Sequence, residues 1–377
     1  MRKKFILQYG IEPHNVILSP GRINIIGEHT DYNDGLAIPA AINRWVCTAI
    51  SKCDKDSFSI FSINYDQSIT ISSDSKIELP EPWIKLVYTA INILKSEYAV
   101  QGGGNIVIGG NIPIGYGLSS SAAFVISITA AFLRLFKIQI KDRALAKLCQ
   151  KIENTALGFP CGLLDQYGII LAKQDHCLMI DFQDNSVEYL PASLIGCSWV
   201  VVNSLIQREL SENAYIHRVK ECRNGLEILN KRFRINGFRE IDKTMLPELE
   251  RAHNVAHKRL HHLLDENSRV KEMKVQLEEG NTIRVGEILQ ESHESLKTLY
   301  EVSCKEIDYI IQHSESFDGW YGGRIIGGGF GGCSLHLIRT NVVKIFSRYI
   351  CNGFGKEYGF EPNIMRVNFQ GGVNYIL

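Results

Sequence analysis

The sequence carries no excess of charge of either sign: lysine plus arginine number 41, and so do aspartate plus glutamate. That balance removes the bulk electrostatic footprint of a nucleic-acid or acidic-membrane binder, although a local anion site needs only a few donors. No apolar run approaches the roughly 18 residues of a membrane span. The N-terminal run Phe5-Ile6-Leu7 stops at Gln8, too short for the apolar core of a signal peptide. The ten cysteines include no Cys-x-x-Cys pair, which argues against a zinc ribbon or a thioredoxin-like centre. A chain this long has no need of a disulfide framework, so they read as reduced thiols of a cytoplasmic protein. Internal repeats and low-complexity segments are missing as well. No Gly-x-x-x-x-Gly-Lys-Ser/Thr run occurs, so this is not a Walker-type enzyme.

What is present is an ordinary globular composition, 45% hydrophobic and 22% charged over 377 residues, enough for two domains. The first half is rich in short β-branched runs bounded by turn residues, at 16–19, 24–26, 46–50, 58–63, 69–71 and 106–108. Helical spacing of apolar residues marks 83–98, and 119–136 is apolar nearly all round, as a buried helix would be. A further helix over 142–157 is ended by Gly158 and Pro160. The second half alternates charged helices, at about 213–232, 246–278, 282–297 and 303–314, with a few strands. Segregated helices and mostly antiparallel strands predict an α+β fold, with a boundary near residue 190 dividing 1–190 from 191–377.

Three glycine-containing segments carry the chemistry. In the first, Pro20-Gly21-Arg22-Ile23-Asn24 runs into a cluster of Glu28, His29, Asp31 and Asn33. Donors and acceptors this dense suit the directed hydrogen bonds that a sugar requires; a polar turn satisfying its own backbone is an equal alternative. In the second, Gly115-Tyr116-Gly117-Leu118 leads into Ser119-Ser120-Ser121-Ala122-Ala123 and the apolar helix. Free N–H groups and the positive end of a helix suit a phosphate, and serine hydroxyls reach a magnesium ion; the plainer alternative is a serine cap on a core helix. The third, Gly327 to Gly332, matches the dinucleotide fingerprint formally. That fingerprint must open a helix, whereas Ser334 to Ile338 alternates like a strand. A tight loop between strands is expected instead.

In this order and at these distances the three segments resemble the GHMP kinase superfamily. The run from Pro20 through Asn33 is similar to the galactokinase signature almost residue for residue. The likeness continues in Pro160 to Gln166, in the Tyr215, Arg218, Cys222 spacing, and around His262, Glu266 and Ser292 to Leu296. The resemblance implies a ribosomal-S5-like N-terminal domain, a ferredoxin-like C-terminal domain and an active site between them. It implies an ATP- and Mg2+-dependent kinase acting on the C1 hydroxyl of galactose, with small-molecule partners only; a monomer is expected, with an oligomer left open.

By the same resemblance, Asp165 is the base and Arg22 its partner. Glu28, His29, Asp31, Gly162, Asp165 and Tyr215 line the sugar site. Trp83, Gly115, Gly117, Leu118, Ser119, Ser120, Ser121 and Ala122 bind ATP, and Ser120 and Glu153 bind magnesium. His29-Thr30-Asp31 favours galactose over N-acetylgalactosamine. The complete serine-alanine loop favours an enzyme over a non-catalytic sugar sensor. Departures from the family pattern fall at residues 84–88, at Arg208 and at Ile326.

Overall fold

The structure is a computed structural model that describes residues 1–72, 81–158, 160–206 and 211–376. The departure at Arg208 lies outside the described residues.

The first sheet has the order β13-β1-β3-β6-β4-β5. Its strands are β1 (Asn15–Asn24), β3 (Pro39–Cys53), β4 (Ser57–Ser62), β5 (Gln67–Ser72), β6 (Gly103–Gly110) and the short β13 (Asn374–Tyr375). All its pairings are antiparallel except β4 with β6. The runs at 16–19 and 24–26 prove to be parts of one excursion. β1 is continuous through a bulge at Pro20/Gly21, where the register shifts against β3. A proline cannot donate to the ladder, so a bulge is where a strand tolerates it. Gly21 is needed there, because a Cβ would meet the Leu118 carbonyl at 2.9 Å.

One face of this sheet carries α3 (Ser120–Leu135), packed on β1 and β3, with α2 (Pro82–Glu97) and α4 (Asp142–Leu157) against it. Pro82 starts α2 with φ already set. α4 ends on Gly158 at φ 79°, whose N–H caps Asn154. The other face is covered by α1 (Arg2–Tyr9), which buries Phe5 against Val16, Ala49 and Val107. α5 (Leu164–Ile170) follows, and a small second sheet joins β2 (Leu36–Ala37) to β7 (His176–Asp181) and β8 (Ser186–Pro191).

The third sheet, β10-β11-β9-β12, is antiparallel throughout. It consists of β9 (Cys197–Asn203), β10 (Trp320–Ile326), β11 (Cys333–Arg339) and β12 (Asn363–Val367). Around it lie α6 (Ser211–Phe233), α7 (Leu246–Ala252), α8 (Asn254–Glu279), α9 (Thr282–Thr298), α10 (Lys305–Glu315) and α11 (Val343–Tyr358). The expected single helix over 246–278 is broken at His253, whose backbone is extended at φ −162° and whose ring accepts from the Ala256 N–H. Residues 327–332 form the turn of a hairpin, with Ile326 opposite Cys333, so the third glycine segment does connect two strands. Among the described residues three hydrophobic clusters result, the smallest being the one under α1. The largest spans the first sheet and also takes in Val270, Met273, Ile288, Leu335 and Phe369 from the second half of the chain.

Candidate active site

Loop 27–35 leaves and rejoins the first half of the chain at one point, closed by bonds between Ile25, Ile26 and Ile38. Thr30 Oγ1 donates to the Gly27 and Leu36 carbonyls at 3.0 and 2.7 Å, and Asn33 Nδ2 donates to the His29 carbonyl at 2.8 Å. Those two residues therefore brace the loop, as the polar-turn alternative expects. Glu28, His29, Asp31 and Tyr32 instead line a cavity of about 620 Å³. The first segment thus divides, with Thr30 and Asn33 bracing the loop and the other four facing the cavity.

The cavity joins this loop to the glycine loop before α3, to α2, to the turn before α5 and to residues 327–328. Asp165 stands where these meet, in the first turn of α5. Its Oδ1 accepts from Arg22 Nε at 2.8 Å and also from Arg22 Nη2. Its Oδ2 accepts from Ser119 Oγ at 2.7 Å. Arg22 is buried and gives its remaining Nη1 to the Gly117 carbonyl at 2.8 Å. One arginine thus ties the strand, the glycine loop and the aspartate together.

Within the glycine loop, Gly115 and Gly117 both take φ 84°, the left-handed region that glycine enters without a steric penalty. Ser119 is also left-handed, at φ 57° and ψ 42°, which costs a non-glycine residue about 1–3 kcal/mol. Ser120 and Ser121 face the cavity. Leu118 and Ala122, expected to touch ATP, are fully buried in the core and do not line the cavity.

Asp31 sits beside Gly162 so closely that a Cβ on Gly162 would run into its Oδ2. Burial, then the charges of Asp165 and Glu28, push the Asp31 carboxyl up to about 7. Glu28 is only partly available. Its Oε1 accepts from Arg324 Nη2 at 3.0 Å and from the Gly327 N–H at 2.9 Å. His29 packs on Tyr215 and Tyr300, and its Nδ1 lies 2.7 Å from the Tyr32 hydroxyl. Trp83 is buried at the cavity wall, stacked on Tyr65 at 5.5 Å, with its indole N–H on Glu81 at 2.6 Å.

Glu153 is buried on α4 and does not line the cavity. Gln166 Nε2 donates to it at 2.6 Å, and its other side-chain partner is Ser121 rather than Ser120. Burial and the charge of Asp165 push its carboxyl up to about 7. Among the described residues no group of three or more histidine, cysteine, aspartate or glutamate side chains could hold a metal on its own.

Sequence reasoning overlooked Tyr32, Tyr65, Tyr300 and Arg324. Arg324 is fully buried and holds the Asn24 and Ile25 carbonyls as well as Glu28. Its only sequence signal was a charge inside an otherwise apolar strand. The departures at 84–88 put Ile84, Leu86 and Val87 into the core, and Ile326 is buried too.

A carboxylate, an arginine and a glycine loop at a helix start make a site that places a hydroxyl beside a phosphate chain. Comparison with known proteins agrees. Residues 3–52 match the galactokinase galactose-binding signature, 85–173 the N-terminal domain of GHMP kinases and 273–355 their C-terminal domain. The chain is similar to the galactokinase of Thermosipho africanus, 34% identical over 96% of this chain and 99% of that one. It is similar to that of Thermotoga maritima, 35% identical over the same shares. The crystal structure of Lactococcus lactis galactokinase complexed with galactose superposes with a TM-score of 0.92, at 29% identity over 99% of this chain and 98% of that one. The chain belongs to the galactokinase family of the GHMP kinases.

Proposed function

We propose that the chain transfers the γ-phosphoryl group of ATP to the C1 hydroxyl of D-galactose, giving galactose 1-phosphate, the first step of galactose catabolism. The observation that carries this reading is Asp165, held by Arg22 and Ser119 where the loop 27–35 meets the glycine loop. A sugar hydroxyl set against Asp165 loses its proton to the carboxylate as the O–P bond forms. A carboxylate is a weak base, so its contribution comes from placement and from taking the proton late. Arg22 offers positive charge to the developing alkoxide and to the transferring phosphoryl group.

Glu28, His29, Asp31, Gly162 and Tyr215 bind the sugar hydroxyls in this reading, and a galactokinase binding galactose at 29% identity supports it. Gly115, Gly117, Ser120 and Ser121, with the backbone of Ser119, take the phosphates, and Leu118 and Ala122 support that loop from the core. Trp83 lies at the adenine end. Ser120 and Glu153 would hold Mg2+, Glu153 from behind the cavity wall, where Ser121 and Gln166 now bond it. Their chemistry fits, because hard oxygen donors suit the ion and Glu153 shares a buried site with a second carboxylate that repels it. When bound, the ion supplies positive charge to the phosphate oxygens.

The division into 1–190 and 191–377 is retained as our reading, with the cavity at the junction. We place the chain in the cytoplasm as a monomer. Supporting the first point, no disulfide joins its ten cysteines, and no helix among the described residues is long and apolar enough to cross a membrane.

The test is ADP release with ATP and magnesium over a panel of galactose, N-acetylgalactosamine, 2-deoxygalactose, arabinose, glucuronate and glucose. Galactose is expected to be turned over best, and Asp165→Asn to lower kcat by about 100-fold or more. Preference for another sugar would overturn the pocket assignment, and an active Asp165→Asn would overturn the base.

A further inference from the structure

We infer that Ser119 is a positioning residue for Asp165: its hydroxyl sets where the second oxygen of the carboxylate stands, and does not bind the nucleotide. The inference rests on the reading of Asp165 as the base. Arg22 sends Nε and Nη2 to one oxygen, Oδ1, and its Nη1 elsewhere. A guanidinium that spans both oxygens of a carboxylate fixes its plane. One that converges on a single oxygen leaves a pivot, because the terminal torsion of an aspartate is broad. Ser119 Oγ donates to Oδ2 at 2.7 Å and removes that freedom. A carboxylate oxygen has two lone-pair sites, so Oδ2 keeps one for an incoming hydroxyl.

The local backbone is arranged around this contact. Ser119 precedes α3, where a serine ordinarily accepts a helix N–H with its side chain. It makes no such cap here. Its backbone lies instead in the left-handed region at φ 57°, which Gly115 and Gly117 occupy on the same loop. Glycine would meet the backbone requirement at 119 with less strain, but only a side-chain donor reaches Oδ2. The residue is also buried, 6% exposed, so the hydroxyl meets little competition from water.

The experiment compares Ser119→Ala and Ser119→Gly, alone and combined with Asp165→Asn, by steady-state ADP release with galactose and ATP. Alanine removes the hydroxyl and keeps the backbone strain, whereas glycine removes both. Each is expected to lower kcat roughly 10- to 100-fold, with both KM values within about 2-fold of the parent. Neither is expected to lower kcat further once Asp165 is asparagine. A rise in the KM for ATP at unchanged kcat, or full additivity with Asp165→Asn, overturns the inference and makes Ser119 a nucleotide contact. A loss in the alanine variant that glycine restores also overturns it, because strain would then be the cause. If Asp165→Asn alone leaves turnover intact, the base assignment itself fails, and the two failures are told apart by that single variant.

Discussion

At the scale of the residue, Asp31 shows what an enclosed site does to a carboxyl. Burial and the neighbouring charges of Asp165 and Glu28 push it up to about 7, whereas an aspartate in an unfolded chain ionises near ~4. Between those values the folded chain holds a proton that the unfolded chain has released. This carboxyl's contribution to stability is therefore complete below ~4 and is lost as the pH rises through about 7. Asp31→Asn stays neutral throughout. The difference in Tm, variant minus parent, is expected to grow between about pH 5 and about pH 8 in circular-dichroism melts. A constant difference would mean that the cavity does not shift this carboxyl. The residue types at Glu28, His29 and Asp31 were legible in the sequence. The division of labour among them was not, because it depends on Arg324, which lies about 300 positions away in the chain.

At the scale of the element, the loop 27–35 is held by a helix from the other half of the chain. Glu266 of α8 is fully buried. Its Oε1 accepts from the Gly27 N–H at 2.9 Å, the Glu28 N–H at 3.3 Å and Ser292 Oγ at 2.9 Å. Its Oε2 accepts from Arg269 Nε at 2.8 Å. Burial opposes ionisation, but the charges of Arg269, His262 and Arg324 outweigh it and hold the carboxyl down to about 2. Glu266→Ala strands a half-buried arginine and two backbone donors. It is expected to lower stability by about 3–5 kcal/mol, with Glu266→Gln closer to the parent; urea titration reads this directly. Equal and small losses in both variants would mean that the loop is held by other contacts.

Element boundaries were legible where a local breaker sits. Gly158 and Pro160 end α4 at the expected residue. They were not legible where the cause is distant. The seven residues of α5 are too few for a periodic signal. The break between α7 and α8 carries neither glycine nor proline. α11 contains Gly353 and Gly355, which lower helix propensity, and it went unread.

At the scale of the whole molecule, the last strand returns to the first sheet. β13 pairs with β1, Phe369 bridges to Ile42, and its ring meets Trp199 of β9 edge-on at 6.3 Å. The largest hydrophobic cluster takes residues from both halves of the chain. Calorimetry is therefore expected to show one unfolding transition, and Phe369→Ala to lower its stability by about 3–5 kcal/mol. Two resolved transitions, with only one moved by the substitution, would show that the halves unfold independently.

The sequence by itself determined the α+β class, the three glycine segments and the residue types of the candidate site, because these depend on local spacing and on motifs a few residues long. Only the tertiary structure decided how those residues are used. It turned Ser119 from the helix cap towards Asp165, gave one oxygen of Glu28 to Arg324, and paired Glu153 with Gln166 and Ser121. The physical reason is that burial, charge and hydrogen-bond partnership are set by residues up to 300 positions apart in the chain.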